Sequence, residues 1–104
     1  MQSECHRPPR HQIAVRIELT DIQSEKHTSG HTKDLTLFGC FAETVTPFPQ
    51  GTKVRLKLSR GGKQLFGHGR VTYSRSDTGM GIAFVTIEPS SLPVLDAWLA
   101  GLRE

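Results

Sequence analysis

The chain has 104 residues, of which 36% are hydrophobic, and a formal net charge of +3 at pH 7. This length suits one domain and excludes two independent hydrophobic cores. It contains no apolar run of about 18 residues, and the segment MQSECHRPPRHQ at its beginning lacks the apolar core of a signal peptide, which together predict a soluble cytoplasmic protein.

The two cysteines lie in different surroundings. Cys5 is in a polar segment, whereas Cys40 is in an apolar one. We therefore expect one exposed thiol and one buried small hydrophobic residue rather than a disulfide.

In chain order, residues 1–12 are predicted to be a flexible basic leader, because Pro8 and Pro9 disfavour helix in the residues before them. Apolar residues then recur at every second position, which is typical of a half-buried strand; they are Ile13, Val15, Ile17 and Leu19. Residues 21–30 are polar and are predicted to be a loop or a frayed hairpin.

Three further extended segments are predicted in the middle of the chain. One runs from about residue 31 to residue 37, kinks at Phe38 and Gly39, and continues over residues 40–45. Residues 47–51 form a turn cluster rich in proline, and the next strand alternates over residues 53–58. Gly61 and Gly62 then indicate a tight hairpin.

Two strands and a helix complete the predicted body of residues 13–104. In the first strand one face is assigned to Gly67, Gly69, Val71 and Tyr73, and in the second to Met80, Ile82 and Phe84. A helix over about residues 91–103 carries one apolar stripe, formed by Leu95, Trp98, Leu99 and Leu102. This stripe either packs on the core or contacts a second copy, so both a monomer and a homodimer are compatible with the sequence. Short strands about ten residues apart favour an all-β barrel or sandwich.

The charge is unevenly distributed. No acidic residue occurs between Thr44 and Ser76, whereas seven basic residues do: Lys53, Arg55, Lys57, Arg60, Lys63, Arg70 and Arg75. Such a block can attract phosphates or an acidic protein. It can also be the solvated face of a strand, since three of the basic residues alternate with apolar ones.

The segment Asp34-Leu35-Thr36-Leu37-Phe38-Gly39 combines a carboxylate, a hydroxyl and a glycine, and His6-Arg7-Pro8-Pro9-Arg10 precedes the first strand. A guanidinium can bind the O6 and N7 edge of guanine, and a carboxylate can accept hydrogen bonds from its N1 and N2. The two segments together suit an anionic ligand that contains guanine.

In the order of these motifs the chain resembles the PilZ domain, a bacterial receptor module for cyclic di-GMP. The family has R-x-x-x-R before the first strand and [D/N]-x-S-x-x-G at a later strand turn. Here the second motif is the segment 34–39, with further similarity in Gly69-Arg70-Val71-Thr72-Tyr73 and in Gly79-Met80-Gly81-Ile82-Ala83-Phe84. In the first motif His6 occupies the place of the first arginine, and Thr36 replaces serine in the second.

The resemblance implies a six-stranded antiparallel β-barrel with a C-terminal α-helix, and it implies roles for six residues. Arg10, and Arg7 if the leader shifts register, would bind guanine edges and phosphates. His6 would help only when protonated, because a neutral imidazole cannot replace the fork of a guanidinium.

In the second motif, Asp34 would accept hydrogen bonds from guanine N1 and N2, and Thr36 would bond to the same base or to a phosphate. Gly39 would let the ligand approach the backbone.

Each of these residues also has a plain structural interpretation. Arg7 and Arg10 can be solvated charges, Asp34 and Thr36 can cap a turn, and Gly39 can serve a β-bulge. The histidine and cysteine spacings match no closed zinc site, and no nucleophile has a recognisable base neighbour, so neither a metal site nor an enzyme is predicted.

The sequence therefore predicts a receptor or adaptor in bacterial second-messenger signalling that binds cyclic di-GMP with low affinity and acts on a downstream protein effector. The alternative is a degenerate PilZ barrel that binds no nucleotide and is an interaction module in pilus or motility regulation. Nucleic-acid binding is disfavoured, because the basic block lacks interleaved aromatic residues for base stacking.

Overall fold

The computed structural model describes residues 14–101. Its elements are β1 (Arg16–Asp21), β2 (His27–Leu35), β3 (Gly39–Glu43), β4 (Lys53–Arg60), β5 (Lys63–Arg75), β6 (Gly79–Ile87), a 3-10 turn (Pro89–Ser91) and α1 (Leu92–Gly101). The helix begins within one residue of the predicted start at 91. The predicted leader, residues 1–12, and the end of the predicted helix, Leu102 and residue 103, lie outside the described residues.

The six strands form a closed barrel in the order β1-β2-β3-β6-β5-β4, and every neighbouring pair is antiparallel. The predicted six-stranded barrel with a C-terminal helix is thereby confirmed. In the described part of the chain, α1 is too short to cross a bilayer, and no other α-helix is present.

The core fills the inside of the barrel, as the alternation of apolar residues predicts. Val15, Ile17 and Leu19 are all at most 1% exposed. Leu95 and Leu99 of α1 are also buried in this core, and Trp98 packs against it half-buried. The described part of the apolar stripe, Leu95, Trp98 and Leu99, therefore packs on the core of its own chain.

The junction of the helix and the barrel is fixed by two hydrogen bonds at Phe66 of β5. The Phe66 N–H donates to Ser91 Oγ over 3.0 Å, and the Phe66 carbonyl accepts from the Glu88 N–H over 3.0 Å. Buried Ser91 thus satisfies a strand donor while the chain turns into the helix.

Of the two alternatives for residues 21–30, the structure shows the hairpin. Its turn lies between the end of β1 and the start of β2, where the Asp21 N–H donates to the Lys26 carbonyl over 2.8 Å, and residues 27–30 already belong to β2. The Asp21 carboxylate accepts from the Gln23 N–H at 2.9 Å and from Ser24 Oγ at 2.8 Å, and Glu25 adopts a positive φ of 65°. The pKa of Asp21 lies below its ordinary value, chiefly because the Ser24 hydroxyl donates a hydrogen bond to the carboxylate. The turn is built by side-chain capping.

Tyr73 does not share the inner face of β5 with Gly67, Gly69 and Val71. The register of β5 against β6 shifts between Val71 and Tyr73, and this β-bulge turns the tyrosine outward. Its side chain is 44% exposed. The prediction of strict alternation was wrong beyond Val71 for this reason.

Cys40 of β3 points into the core, as predicted, and burial raises its pKa to about 12. Its folded pKa lies above the ordinary value of 9.0, so the folded state keeps a proton that the unfolded state releases at high pH. The protonated Cys40 thiol therefore contributes its full stabilisation below pH 9.0, and this contribution is lost as the pH rises above that value.

We expect the unfolding free energy to decline by up to about 1.4 kcal/mol per pH unit above that point because of Cys40 alone. Urea denaturation between about pH 8 and pH 10 under reducing conditions measures this slope. The Cys40→Ala variant should have a lower stability throughout but a shallower decline with pH. Parallel declines in the two proteins would show that other groups cause the alkaline loss.

Candidate functional site

The predicted motif forms the connection between β2 and β3. The Thr36 N–H donates to the Gly39 carbonyl over 2.9 Å, which closes a four-residue turn. Thr36 Oγ1 accepts from the Phe38 N–H at 3.0 Å and from the Gly39 N–H at 3.2 Å, and it donates to the Gly39 carbonyl at 3.2 Å. A hydroxyl has one donor hydrogen and two acceptor lone pairs, so this turn uses all of them. The geometry favours turn capping as the role of Thr36.

Gly39 begins β3 at a point where two strands approach closely. A Cβ at this residue would collide with the backbone carbonyl oxygen of Ile82 on β6 and would lie 3.2 Å from the Cα of Ala83. Its φ is not in the left-handed region, so the requirement for glycine comes from space and not from backbone conformation. Packing alone is sufficient reason for a glycine at this position.

Asp34 is half-buried on β2, where it follows a β-bulge at residues 32–34. It pairs directly with Phe41 of β3, and the next residue, Leu35, pairs with Cys40 and is buried. Because alternate strand residues point to opposite faces, Asp34 and Phe41 share the outer face of the barrel.

The row that contains Asp34 and Phe41 continues over two more strands. Phe41 pairs with Gly81 of β6, and Gly81 pairs with Tyr73 of β5. The Tyr73 ring lies over Gly81, where a Cβ would collide with it, and it is stacked with Phe41 at a centroid distance of 6.0 Å and an interplanar angle of 28°. The Arg75 guanidinium lies 5.8 Å from the centre of the Tyr73 ring.

Phe41, Gly81 and Tyr73 thus form an aromatic platform on the outer face, beside Asp34. Sequence analysis did not assign a site role to these three residues. Gly81 was a usable signal, because a glycine in an otherwise apolar strand indicates that another group approaches the backbone there.

The turn itself presents apolar surface. Phe38 is 65% exposed and the neighbouring Leu37 is 47% exposed. The Phe38 carbonyl accepts from the Phe84 N–H over 2.8 Å, which ties the turn to β6. The tip of the motif is therefore anchored through its backbone while its side chains remain accessible.

Of the six predicted site residues, the structure brings Asp34, Thr36 and Gly39 together at one end of β2 and β3. The other three, His6, Arg7 and Arg10, lie outside residues 14–101. Within residues 14–101 no cluster of three histidine, cysteine, aspartate or glutamate side chains is arranged to hold a metal ion.

Comparison of the sequence with protein-family models gives a match to the PilZ domain over residues 3–101, a range that includes both motifs. The chain belongs to the PilZ domain family. A search among curated proteins found no match.

Solved PilZ structures share the fold at low sequence identity. The PilZ domain of CeSA from a cellulose-synthesizing bacterium is 17% identical with a TM-score of 0.71, over 92% of this chain and 99% of that one. The Escherichia coli YcgR PilZ domain with c-di-GMP is 13% identical with a TM-score of 0.74, over 96% and 92% of the two chains. Bacillus subtilis MotI/DgrA, an inhibitor of motility, is 11% identical with a TM-score of 0.70; the match covers 98% of this chain but 55% of MotI.

Proposed function

We propose that this PilZ domain is a cytoplasmic receptor for cyclic di-GMP, of low affinity, that acts on a downstream protein. The observation that carries the proposal is the placement of Asp34: half-buried, on the outer face, between the Thr36–Gly39 turn and the aromatic platform. A carboxylate at such a position accepts hydrogen bonds from two neighbouring N–H groups of guanine while the ring lies against the protein surface.

The surroundings of Asp34 suit a planar base. Gly39 and Ala83 lie on one outer face of β3 and β6, and their small size leaves the backbone approachable there, whereas Gly81 is covered by the Tyr73 ring. Phe41 and Tyr73 beside them offer ring faces, and stacking of a base on an aromatic ring contributes about 1–3 kcal/mol.

The leader supplies the remaining contacts in this proposal. Arg10, with Arg7, binds guanine edges and phosphates, and His6 contributes when protonated, which the neighbouring phosphates favour. We expect low affinity because His6 stands where the family motif has its first arginine, so one guanidinium fewer is available to bind the ligand. Ordering of the leader, residues 1–12, around the ligand would transmit the binding event to the effector.

PilZ domains are receptor or adaptor modules, and we propose the same for this chain rather than a catalytic role. A second candidate function is a protein-interaction module in pilus or motility regulation that has lost nucleotide binding. Two observations favour it: His6 stands in the place of the first arginine, and the Thr36 hydroxyl already makes all its hydrogen bonds within the turn.

Titration calorimetry with cyclic di-GMP separates the two candidates. The receptor should release or absorb heat with a saturable isotherm, and the His6→Arg variant should bind about tenfold more tightly because a bidentate contact is restored. No heat up to high micromolar ligand in either protein would exclude the receptor function. If the wild type and the His6→Arg variant bind cyclic di-GMP with equal affinity, His6 does not occupy the position of the first arginine of the motif.

A further inference from the structure

Several basic residues of strands β4 and β5 share one surface of the barrel. Residues 44–76 contain seven of the thirteen lysines and arginines and none of the ten acidic residues. Lys53, Arg55 and Lys57 lie on the outer face of β4, since the residues between them, Val54 and Leu56, are buried. His68 and Arg70 lie on the same face of β5. We call these five residues the basic ladder.

The ladder places two cations, Lys53 and Arg70, opposite each other. Lys53 pairs directly with Arg70, and Arg55 pairs directly with His68. Directly opposed residues of antiparallel strands have their Cβ atoms about 5 Å apart, and like charges in such pairs are destabilising. A purely solvated face would gain stability from alternating signs, as on β1, where Arg16 is 3.4 Å from Glu18.

Glu18 of β1 lies directly opposite Lys57, but acidic neighbours do little to offset the repulsion at the other end of the ladder. The Glu25 carboxylate is 3.8 Å from the Arg55 guanidinium, but both side chains are more than half exposed, so the pair contributes little. Among residues 14–101, Lys53 and Arg70 have no ion pair. The barrel therefore retains an uncompensated pair of cations at some cost to its stability.

The surface beside the ladder is concave. A groove of about 650 Å³ runs over the outer face of β1, β2, β4 and β5, and Arg55, Lys57 and His68 are part of its lining. Phe66, which is 38% exposed and pairs directly with Lys57, adds an apolar contact. The lining also contains Arg16 and two carboxylates, Glu18 and Glu88, whereas Lys53 and Arg70 lie on the ladder outside the groove. The volume is enough to hold several side chains of a partner.

The spacing of the ladder matches an extended peptide. Residues i and i+2 of a strand are about 6.8 Å apart, so Lys53, Arg55 and Lys57 present cations at that repeat. An extended chain with acidic residues at alternate positions carries carboxylates at the same repeat. We propose that the basic ladder and its groove are a docking surface for an extended acidic segment of a protein partner.

A single-stranded nucleic acid fits this surface less well. Base stacking needs aromatic rings interleaved with the cations. Over the five paired positions of β4 and β5 that contain the ladder, from Lys53 and Arg70 to Lys57 and Phe66, Phe66 is the one aromatic residue. The docking surface is also independent of the nucleotide site proposed above, so its test is made without cyclic di-GMP.

The test measures fluorescence anisotropy of a labelled peptide of about 12 residues that alternates glutamate and serine. We expect saturable binding that weakens with salt. The double variant K53Q/R70Q should bind about tenfold more weakly. The matched control K26Q/K33Q also removes two positive charges, but from exposed positions away from the ladder: Lys26 in the β1–β2 hairpin and Lys33 at the β2 bulge. Its affinity for the peptide should stay within about twofold of the wild type.

Thermal denaturation completes the test. The K53Q/R70Q protein should melt at or above the temperature of the wild type, because a repulsive cross-strand pair is removed. The proposal is overturned by any of four results: a lower melting temperature, no peptide binding by the wild type, equal loss in both double variants, or tighter binding of a single-stranded oligonucleotide. Wild-type self-association that K53Q/R70Q abolishes would likewise overturn it, since it would assign the ladder to a second copy.

Discussion

The Asp34→Ala variant is expected to bind cyclic di-GMP about 10- to 100-fold more weakly than the wild type. The reason is that alanine removes the carboxylate that we propose accepts hydrogen bonds from guanine N1 and N2, and a hydrogen bond to a charged group contributes about 1.5–3 kcal/mol. Titration calorimetry of folded protein, with its melting temperature measured in parallel, checks this result. The Asp96→Ala variant changes an exposed aspartate of α1 and should bind as the wild type does.

The Asp34→Asn variant sharpens the same test. Asparagine keeps an acceptor oxygen at the same position and also occurs there in the family motif, so we expect it to retain binding within about tenfold of the wild type. If Asp34→Ala binds cyclic di-GMP as tightly as the wild type, the carboxylate has a structural role in β2 and the proposed contact is wrong.

The Gly39→Ala variant is expected to lose about 2–3 kcal/mol of unfolding free energy. The added methyl group would collide with the Ile82 carbonyl, so β3 and β6 must move apart where they are hydrogen-bonded. Urea denaturation without nucleotide measures the loss. Ser29→Ala, at an exposed position of β2, is the control and should change stability by less than about 0.5 kcal/mol.

This experiment also separates the two interpretations of Gly39. A strand-packing glycine gives a stability loss in the absence of any ligand. If the stability of Gly39→Ala is unchanged and only its affinity for cyclic di-GMP falls, then close approach of the ligand is what requires the glycine.

The residues of the core could be predicted because alternating apolar residues determine which side of a strand is buried. The number of strands, six, came from the resemblance to the PilZ domain. Val15, Ile17 and Leu19 of the predicted first strand are buried in the structure, and so are Val54, Leu56 and Leu58 of β4. Ile13 of the same row lies outside the described residues. The errors in the bounds of β2 and in the face assigned to Tyr73 had local causes that alternation does not encode. A capped hairpin at Asp21 lengthened β2, and a bulge after Val71 moved Tyr73 to the outer face.

The site was predictable only in part for a different reason. Asp34, Thr36 and Gly39 are close in sequence, so a local motif reveals them. Phe41, Gly81 and Tyr73 come from three strands, and their contact depends on the order β3-β6-β5, which no short segment of sequence shows. The like-charge pair of Lys53 and Arg70 equally depends on the register of two strands.

Closure of the barrel has a consequence for how any partner is recognised. Each of the six strands within residues 14–101 has a neighbour on both sides, so none offers a free edge to which a partner could add a strand. Displacing one strand would break two hydrogen-bonded ladders at once, which makes the barrel a single cooperative unit. Recognition by the barrel itself, residues 14–101, therefore relies on side chains held at fixed positions on a stiff outer surface.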